Sequence, residues 1–333
     1  MRNPIHTILL VVVASLSGLR CWPAPEPDSA STEAAPAKVP PEPPQSPQPA
    51  FSEAAAFEHG APRTVDIEIH GHDASGGFVS HGAGTILHEA GYILTCEHIT
   101  AAGDRQEVIL ADGSVHPFTV LARAGGSFDT AILRIKPKVA LSAVVLGHSD
   151  KLAIGEKIMI IGNPGGQRHA VHYGVVEKTT CGGGTQIHVG KADVSPGDSG
   201  GPVFDMFGKQ VALVHVKIFT LAQASRHIRV DHIRDAFATV FMDKARKDYE
   251  IGLDVDCQTE TAIVTRVKKD SPADLAGIRT GDEITRFDDM EIRSGPHYVL
   301  ALLDRVTGKP VALKIRRGQE DIKASVQPLK ISR

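Results

Sequence analysis

The chain has 333 residues, enough for two domains, and 42 % of them are hydrophobic with a formal net charge of −3, the balance of an ordinary soluble globular protein. Charge so close to neutral gives no electrostatic case for nucleic-acid binding. Its 16 histidines invite a search for metal sites, but there is no His-Glu-x-x-His and no Cys-x-x-Cys; His70-x-His72 and His169-Ala-Val-His172 are weak candidates, and solvated histidines are the plainer reading.

The N-terminus reads as a targeting segment. Arg2 precedes an apolar run from Thr7 to Leu19, shorter than the roughly 20 residues of a comfortable membrane span but suited to a secretory leader. Residues 1–21 are therefore expected to be a signal peptide or N-terminal anchor, with Ser15, Ser17 and Gly18 offering a cleavage site. Cys21 follows Arg20 rather than the small residue a lipid-attachment site needs. An exported protein is predicted, periplasmic or in the cell envelope, with a membrane tether as the second possibility. Export permits disulfides, yet Cys21, Cys96, Cys181 and Cys257 show no framework spacing. A Cys96–Cys181 bridge and two buried free thiols both remain open, the thiols being favoured.

Residues 22–50 are rich in Pro, Ala, Ser and Glu; such a segment buries too little apolar surface to offset its ordering entropy and is expected to be a disordered linker. From about 62 to 225 many short runs of β-type residues alternate with Gly, Asp and Asn, which predicts an all-β barrel or sandwich. Residues 231–248 have helical spacing, with Asp231 as N-cap and Ile233, Phe237, Val240 and Phe241 on one face. A second β-rich unit follows. It includes a short helical turn closed by Gly277 and a helix from Ser294 to Val306 with Pro near its start. The expected domains are 51–245 and 246–330.

The stretch ADVSPGDSGGPVF, residues 192–204, presents Ser199 among glycines. A serine hydroxyl becomes a nucleophile only with a base within hydrogen-bond reach, a group to orient that base, and donors for the oxyanion. The N–H groups of Gly197 and Ser199 are the natural donor pair, with the Asp198 N–H close by. His98 closes an apolar strand and Asp129 opens another. The chain order His98, Asp129, Ser199 is the order of two-barrel trypsin-like proteases.

These segments resemble the HtrA (DegP/DegQ-like) family of serine proteases over about residues 62–330. GAGTILHEAGYILTCEHIT is similar to the family's strand pair ending in its catalytic histidine, FDTAILRIK to its aspartate segment, IGNPGGQRHAVHYGVVEK to its Ile-Gly-Asn-Pro signature, and SPGDSGGPVFD to its nucleophile loop. YEIGLDV and SPADLAGIRTGDEITRFDD are similar to its PDZ segments. The resemblance implies a mainly β chain: a trypsin-like double β-barrel of two six-stranded barrels, followed by a small α+β PDZ domain. It implies an exported serine endopeptidase of protein quality control and stress response that cleaves unfolded or damaged proteins through His98, Asp129 and Ser199 without metal or organic cofactor. The strand around Val214, His215 and Val216 would pair with extended substrate. Ile251, Gly252 and Leu253 would receive a peptide C-terminus, with the helix from Pro296 as the other groove wall. Asp193 lies six residues before Ser199, the offset at which trypsin-like enzymes select basic P1 residues with a carboxylate. HtrA-type proteases usually accept small aliphatic ones, and Asp193 would either select Lys and Arg or face a neighbour such as Lys191 or Lys217. Phe51 and Phe57 would serve as trimer contacts or be a simple aromatic pair. One departure stands out: Asp198 occupies a position where the family usually carries Asn, and its partner is open. The reading of another class is a non-catalytic PDZ scaffold or holdase on a protease fold.

Overall fold

A computed structural model describes residues 50–100, 103–217 and 224–331; the expected leader and all but the last residue of the expected linker lie outside the described residues. Helix α1 (Glu53–Gly60) starts at Ser52, whose hydroxyl accepts the Ala55 N–H at 3.3 Å. Seven strands follow: β1 (Thr64–Asp73), β2 (Gly76–His88), β3 (Tyr92–Cys96), β4 (Arg105–Ile109), β5 (Val115–Pro117), β6 (Thr119–Ala124) and β7 (Thr130–Arg134). They form one antiparallel sheet in the order β5-β4-β1-β2-β3-β7-β6. The resemblance implied six strands. The seventh arises because one chain segment bends at Phe118, pairing first with β4 and then with β7. Its two halves hold opposite edges of the sheet, so the sheet curls around its own core of Val65, Ile67, Ile86, Ile93, Val108 and Leu133.

Six further strands, β8 (Lys157–Gly162), β9 (Ala170–Cys181), β10 (Gln186–Gly190), β11 (Pro202–Asp205), β12 (Gln210–Lys217) and β13 (Ala224–Arg229), close into a barrel in the order β10-β13-β12-β11-β8-β9. Ile158, Ile160, Val189, Val203 and Ala212 fill it. Closure removes the exposed edges that an open sheet would present.

After β13 the chain runs through α2 (Val230–Ala236), a π-turn (Phe237–Phe241) and α3 (Met242–Ala245). Its N-cap is Arg229 rather than Asp231. Asp231 lies in the first turn and accepts the Asp150 N–H at 2.9 Å. The remaining chain forms β14 (Tyr249–Glu250), β15 (Leu253–Val255), β16 (Val264–Val267), α4 (Pro272–Leu275), β17 (Glu283–Phe287), β18 (Met290–Glu291), α5 (Gly295–Arg305), β19 (Val311–Arg317), β20 (Glu320–Val326) and β21 (Leu329–Lys330). Alternation sets its faces: Val311, Leu313 and Ile315 of β19 are buried while Ala312 and Arg316 are exposed.

This last unit is seated on the first sheet. The Tyr92 hydroxyl donates to Asp304 at 2.7 Å, and the Arg134 guanidinium donates to the same carboxylate at 3.0 Å. His88 Nε2 donates to the Glu291 carbonyl at 2.8 Å, and His297 Nε2 to the Leu87 carbonyl at 2.9 Å. The two imidazoles meet edge to face, 4.8 Å apart. A single hydrophobic cluster runs from Leu87 and Tyr92 through Phe237 and Phe241 to Tyr298, Leu300 and Val326.

Candidate active site

Every residue of β3 is buried, and the strand ends in a single 3-10 turn, Glu97–Ile99, that lifts His98 out of the sheet. Asp129 follows β6 in a left-handed conformation, φ 37°, unusual for a residue with a side chain. The conformation turns its carboxylate back onto that 3-10 turn. Oδ1 accepts the His98 backbone N–H at 3.0 Å, and Oδ2 accepts His98 Nδ1–H at 2.6 Å. A second imidazole reaches the same oxygen: His215 Nε2 lies 3.2 Å from Oδ2. Burial alone would raise the Asp129 carboxyl, but the hydrogen bonds from His215 and His98 outweigh it and hold it well below the usual carboxylate range.

Ser199 sits at the mouth of the β10–β11 loop. Its hydroxyl donates to the His215 carbonyl at 3.3 Å, and among the described residues no hydrogen bond joins it to His98. The loop is held on both sides: Ala83 N–H donates to the Ser199 carbonyl, Gly200 N–H to the Val214 carbonyl, and Val214 N–H to the Gly201 carbonyl, each at 2.9 Å. Gly197 has φ 107°, and a Cβ there would lie 2.2 Å from the Asn163 carbonyl oxygen, so only glycine allows this turn. Neither the Gly197 N–H nor the Ser199 N–H has an acceptor among the described residues. The Asp198 N–H differs. It donates to Ser195 O at 3.0 Å within the turn, which corrects its expected place in the oxyanion pocket.

The partner of Asp198 is His172. The carboxylate is fully buried; its Oδ2 accepts the Ser195 N–H at 2.7 Å and lies 3.3 Å from His172 Nε2. His172 had stood out only as a metal candidate. Its neighbour His169 pairs with buried Asp66 at 3.4 Å, and His72 with Asp104 at 2.7 Å, while His70 is 3.5 Å from Glu68. Each of these histidines thus faces a carboxylate. Cys96, Cys181 and Cys257 are free thiols; Cys96 and Cys257 are buried, Cys181 half-buried. Burial pushes the Cys96 thiol up and out of reactive range.

Other expected residues are placed as follows. Asp193 is exposed between buried Ala192 and buried Val194. Val214 is buried, with its N–H engaged by Gly201 and its carbonyl by Gly200 of the Ser199 loop, so neither backbone group is free for an extended chain; the substrate-pairing expectation is corrected there. His215 turns its side chain to Asp129. Val216 continues β12, paired with Arg226. Phe51 and Phe57 are half-buried against their own chain, Phe51 stacking obliquely on His59 at 5.3 Å.

Ile251, Gly252 and Leu253 are all buried. Gly252 has φ 88°, and a Cβ there would lie 2.2 Å from that of Ser271. Arg246, just past α3, donates to the Leu253 carbonyl and pairs with Asp254 at 2.5 Å, so it covers the outer edge of β15. Residues 295–302 of α5 are buried as well, against α3, the π-turn and β6. A small cavity of about 20 Å³ lies beside Arg246, Gly252, Arg266 and Lys268.

Residues 75–213 match the trypsin-like peptidase domain family and residues 250–327 the PDZ domain family. The chain is 30 % identical over 314 residues to human "Serine protease HTRA3", covering 83 % of this chain and 68 % of that protein. It is 31 % identical over 244 residues to "Probable periplasmic serine endoprotease DegP-like" of Ectopseudomonas mendocina, covering 66 % of this chain and 51 % of that one. Among solved structures, "HtrA-type protease AlgW with decapeptide" superposes with a TM-score of 0.51 at 22 % identity, over 85 % of this chain and all of that one, a likeness of fold.

Proposed function

Because the chain belongs to the HtrA family of serine proteases, we propose that Ser199, His98 and Asp129 form the nucleophile, base and orienting carboxylate of an exported endopeptidase acting on unfolded or damaged proteins. The observation that carries this reading is the pair of hydrogen bonds from His98 to the Asp129 carboxylate, at 2.6 and 3.0 Å. With Nδ1–H committed to Asp129, Nε2 is the free acceptor for the Ser199 proton. This role requires the Ser199 hydroxyl to leave the His215 carbonyl for His98 Nε2, a tightening common between the resting and substrate-bound enzyme.

In acylation Ser199 Oγ attacks the scissile carbonyl as His98 takes its proton. Asp129 stabilises the imidazolium, and His98 returns the proton to the leaving amine. The N–H groups of Gly197 and Ser199 stabilise the oxyanion; one such donor is worth about 10²–10³ in kcat. Neither step calls on a metal or organic cofactor. A relative named periplasmic supports a location in the periplasm or cell envelope, and the expected segment 1–21 fits export. The PDZ unit reads as a receptor for peptide C-termini whose groove is filled at rest by Arg246. Assembly into trimers, through Phe51 and Phe57, belongs to the same reading.

The test is casein hydrolysis by the wild type and by Ser199→Ala. The expected loss is about 10⁴-fold or more; equal, negligible activity in both would favour a scaffold. Cleavage sites mapped in the same digests read the role of Asp193. Enrichment of Lys and Arg at P1, lost in Asp193→Ala, supports a carboxylate in the primary pocket, and no enrichment removes it.

A further inference from the structure

His215 lies in a β-bulge. Val214 pairs with His227 and Val216 with Arg226, leaving His215 as the extra residue on β12. A bulge bends its strand and re-aims a side chain, and here the imidazole points at Asp129. Its two nitrogens have distinct partners. The Gln186 side-chain amide nitrogen on β10 lies 3.1 Å from Nδ1, and Asp129 Oδ2 lies 3.2 Å from Nε2. An amide N–H can only donate, so Nδ1 is the acceptor and the proton sits on Nε2, facing the carboxylate. The main chain of the same residue accepts the Ser199 hydroxyl at 3.3 Å. One residue therefore touches the nucleophile with its carbonyl and the orienting carboxylate with its ring.

We propose that His215 is a positioning residue of the triad, holding the Asp129 carboxylate by an Nε2–H···O bond and thereby fixing the orientation of His98. The proposal rests on the triad assigned above. Asp129 Oδ2 is shared by two imidazole donors whose rings are 6.2 Å apart. Two consequences follow. The carboxylate cannot rotate away from His98 without breaking the His215 bond as well. Its charge is also shared between two imidazole donors instead of acting on His98 alone. The ionisable groups around the pair are His98 and Cys96 from the β3 side, Asp129 before β7, His188 on β10 and His227 on β13. His227 is fully buried and held neutral, its pKa pushed down to about 3 by burial, then by His215 and His188. The Cys96 thiol is likewise neutral.

The test compares His215→Phe, which removes the donor, with His215→Gln, which keeps a nitrogen donor at similar reach. Both are first checked for a wild-type melting profile. His215→Phe should lower kcat by about tenfold with KM changed less than about twofold. It should also move the acid limb of the kcat/KM profile about half a pH unit upward, because more of the Asp129 charge then acts on His98. His215→Gln should restore both. An unmoved acid limb in His215→Phe, or His215→Gln no better than His215→Phe, overturns the proposal. A readout independent of turnover separates this from failure of the protease assignment: ¹⁵N-histidine NMR in a Ser199→Ala background. Two protected imidazole N–H resonances are expected to respond to Asp129→Asn, one of them absent in His215→Phe. A single responsive resonance in the parent refutes the His215–Asp129 bond whatever the enzyme cleaves.

Discussion

Asp198 stands next to Ser199 with no exposed surface, and the His172 imidazole lies 3.3 Å from its carboxylate. Removing the imidazole leaves the buried carboxylate without that polar neighbour, which costs about 1–3 kcal/mol, whereas removing both groups together does not. His172→Ala should therefore lower stability by that order in urea unfolding, and adding Asp198→Asn should restore most of it. Additive losses in the double variant would mean that the two do not interact. The partner of Asp198 was not legible in the sequence. His172 lies 26 positions upstream on β9, and strand pairing through β8 to β11 brings it to the Ser199 loop. His98 and Asp129 were legible because one sits just after an apolar run and the other just before one, and strand ends are where a rigid element can present a polar side chain. The side chain of His215 was not. A bulge is a mismatch between two strands, and nothing within VALVHV alone records it.

At the scale of elements, the Ser199 loop owes its shape to Gly197 and to the β2 and β12 backbones that grip it. Gly197→Ala puts a Cβ 2.2 Å from the Asn163 carbonyl at a φ of 107°. The loop must shift, misdirecting one oxyanion donor. The expected result is a loss of about 10²-fold in kcat with little change in KM, checked by steady-state kinetics on a fluorogenic peptide; a purely structural role would instead lower the melting temperature with kcat per folded molecule intact. The strands themselves were visible as alternating runs, and α5 as a helix opened by proline. Two features escaped such patterns. The π-turn at Phe237–Phe241 keeps both aromatic rings in the core and has no periodic signature of its own. The bend at Phe118 divides one β-run into two strands with different partners.

Across the whole molecule, the junction between the first sheet and the PDZ unit is built on neutral histidines. Burial, then the nearby His88 ring, pushes His297 down to about 3 from 6.5, and burial also lowers His88. An unfolded chain protonates His297 near pH 6.5 and the folded one does not until near 3. The unfolded state therefore holds more protons throughout that window, and stability falls as pH drops through it. The melting temperature should decline from pH 7 to pH 4, and His297→Asn should flatten the slope; His227, depressed to about 3 inside the second barrel, keeps a residual slope in that variant. An unchanged slope would remove the junction as its source. This seating was beyond sequence reasoning, since two motifs that each look self-contained say nothing about what lies between them. The hydrophobic cluster from Leu87 through Phe241 to Val326 has a consequence for trimming and recombining the chain. A cut after α3 would strip α5 of its cover, leaving a sticky fragment on one side and a bare β6 on the other. The PDZ unit is thus less a bead on a string than a keystone, and grafting it onto another scaffold would require carrying its helical seat along with it.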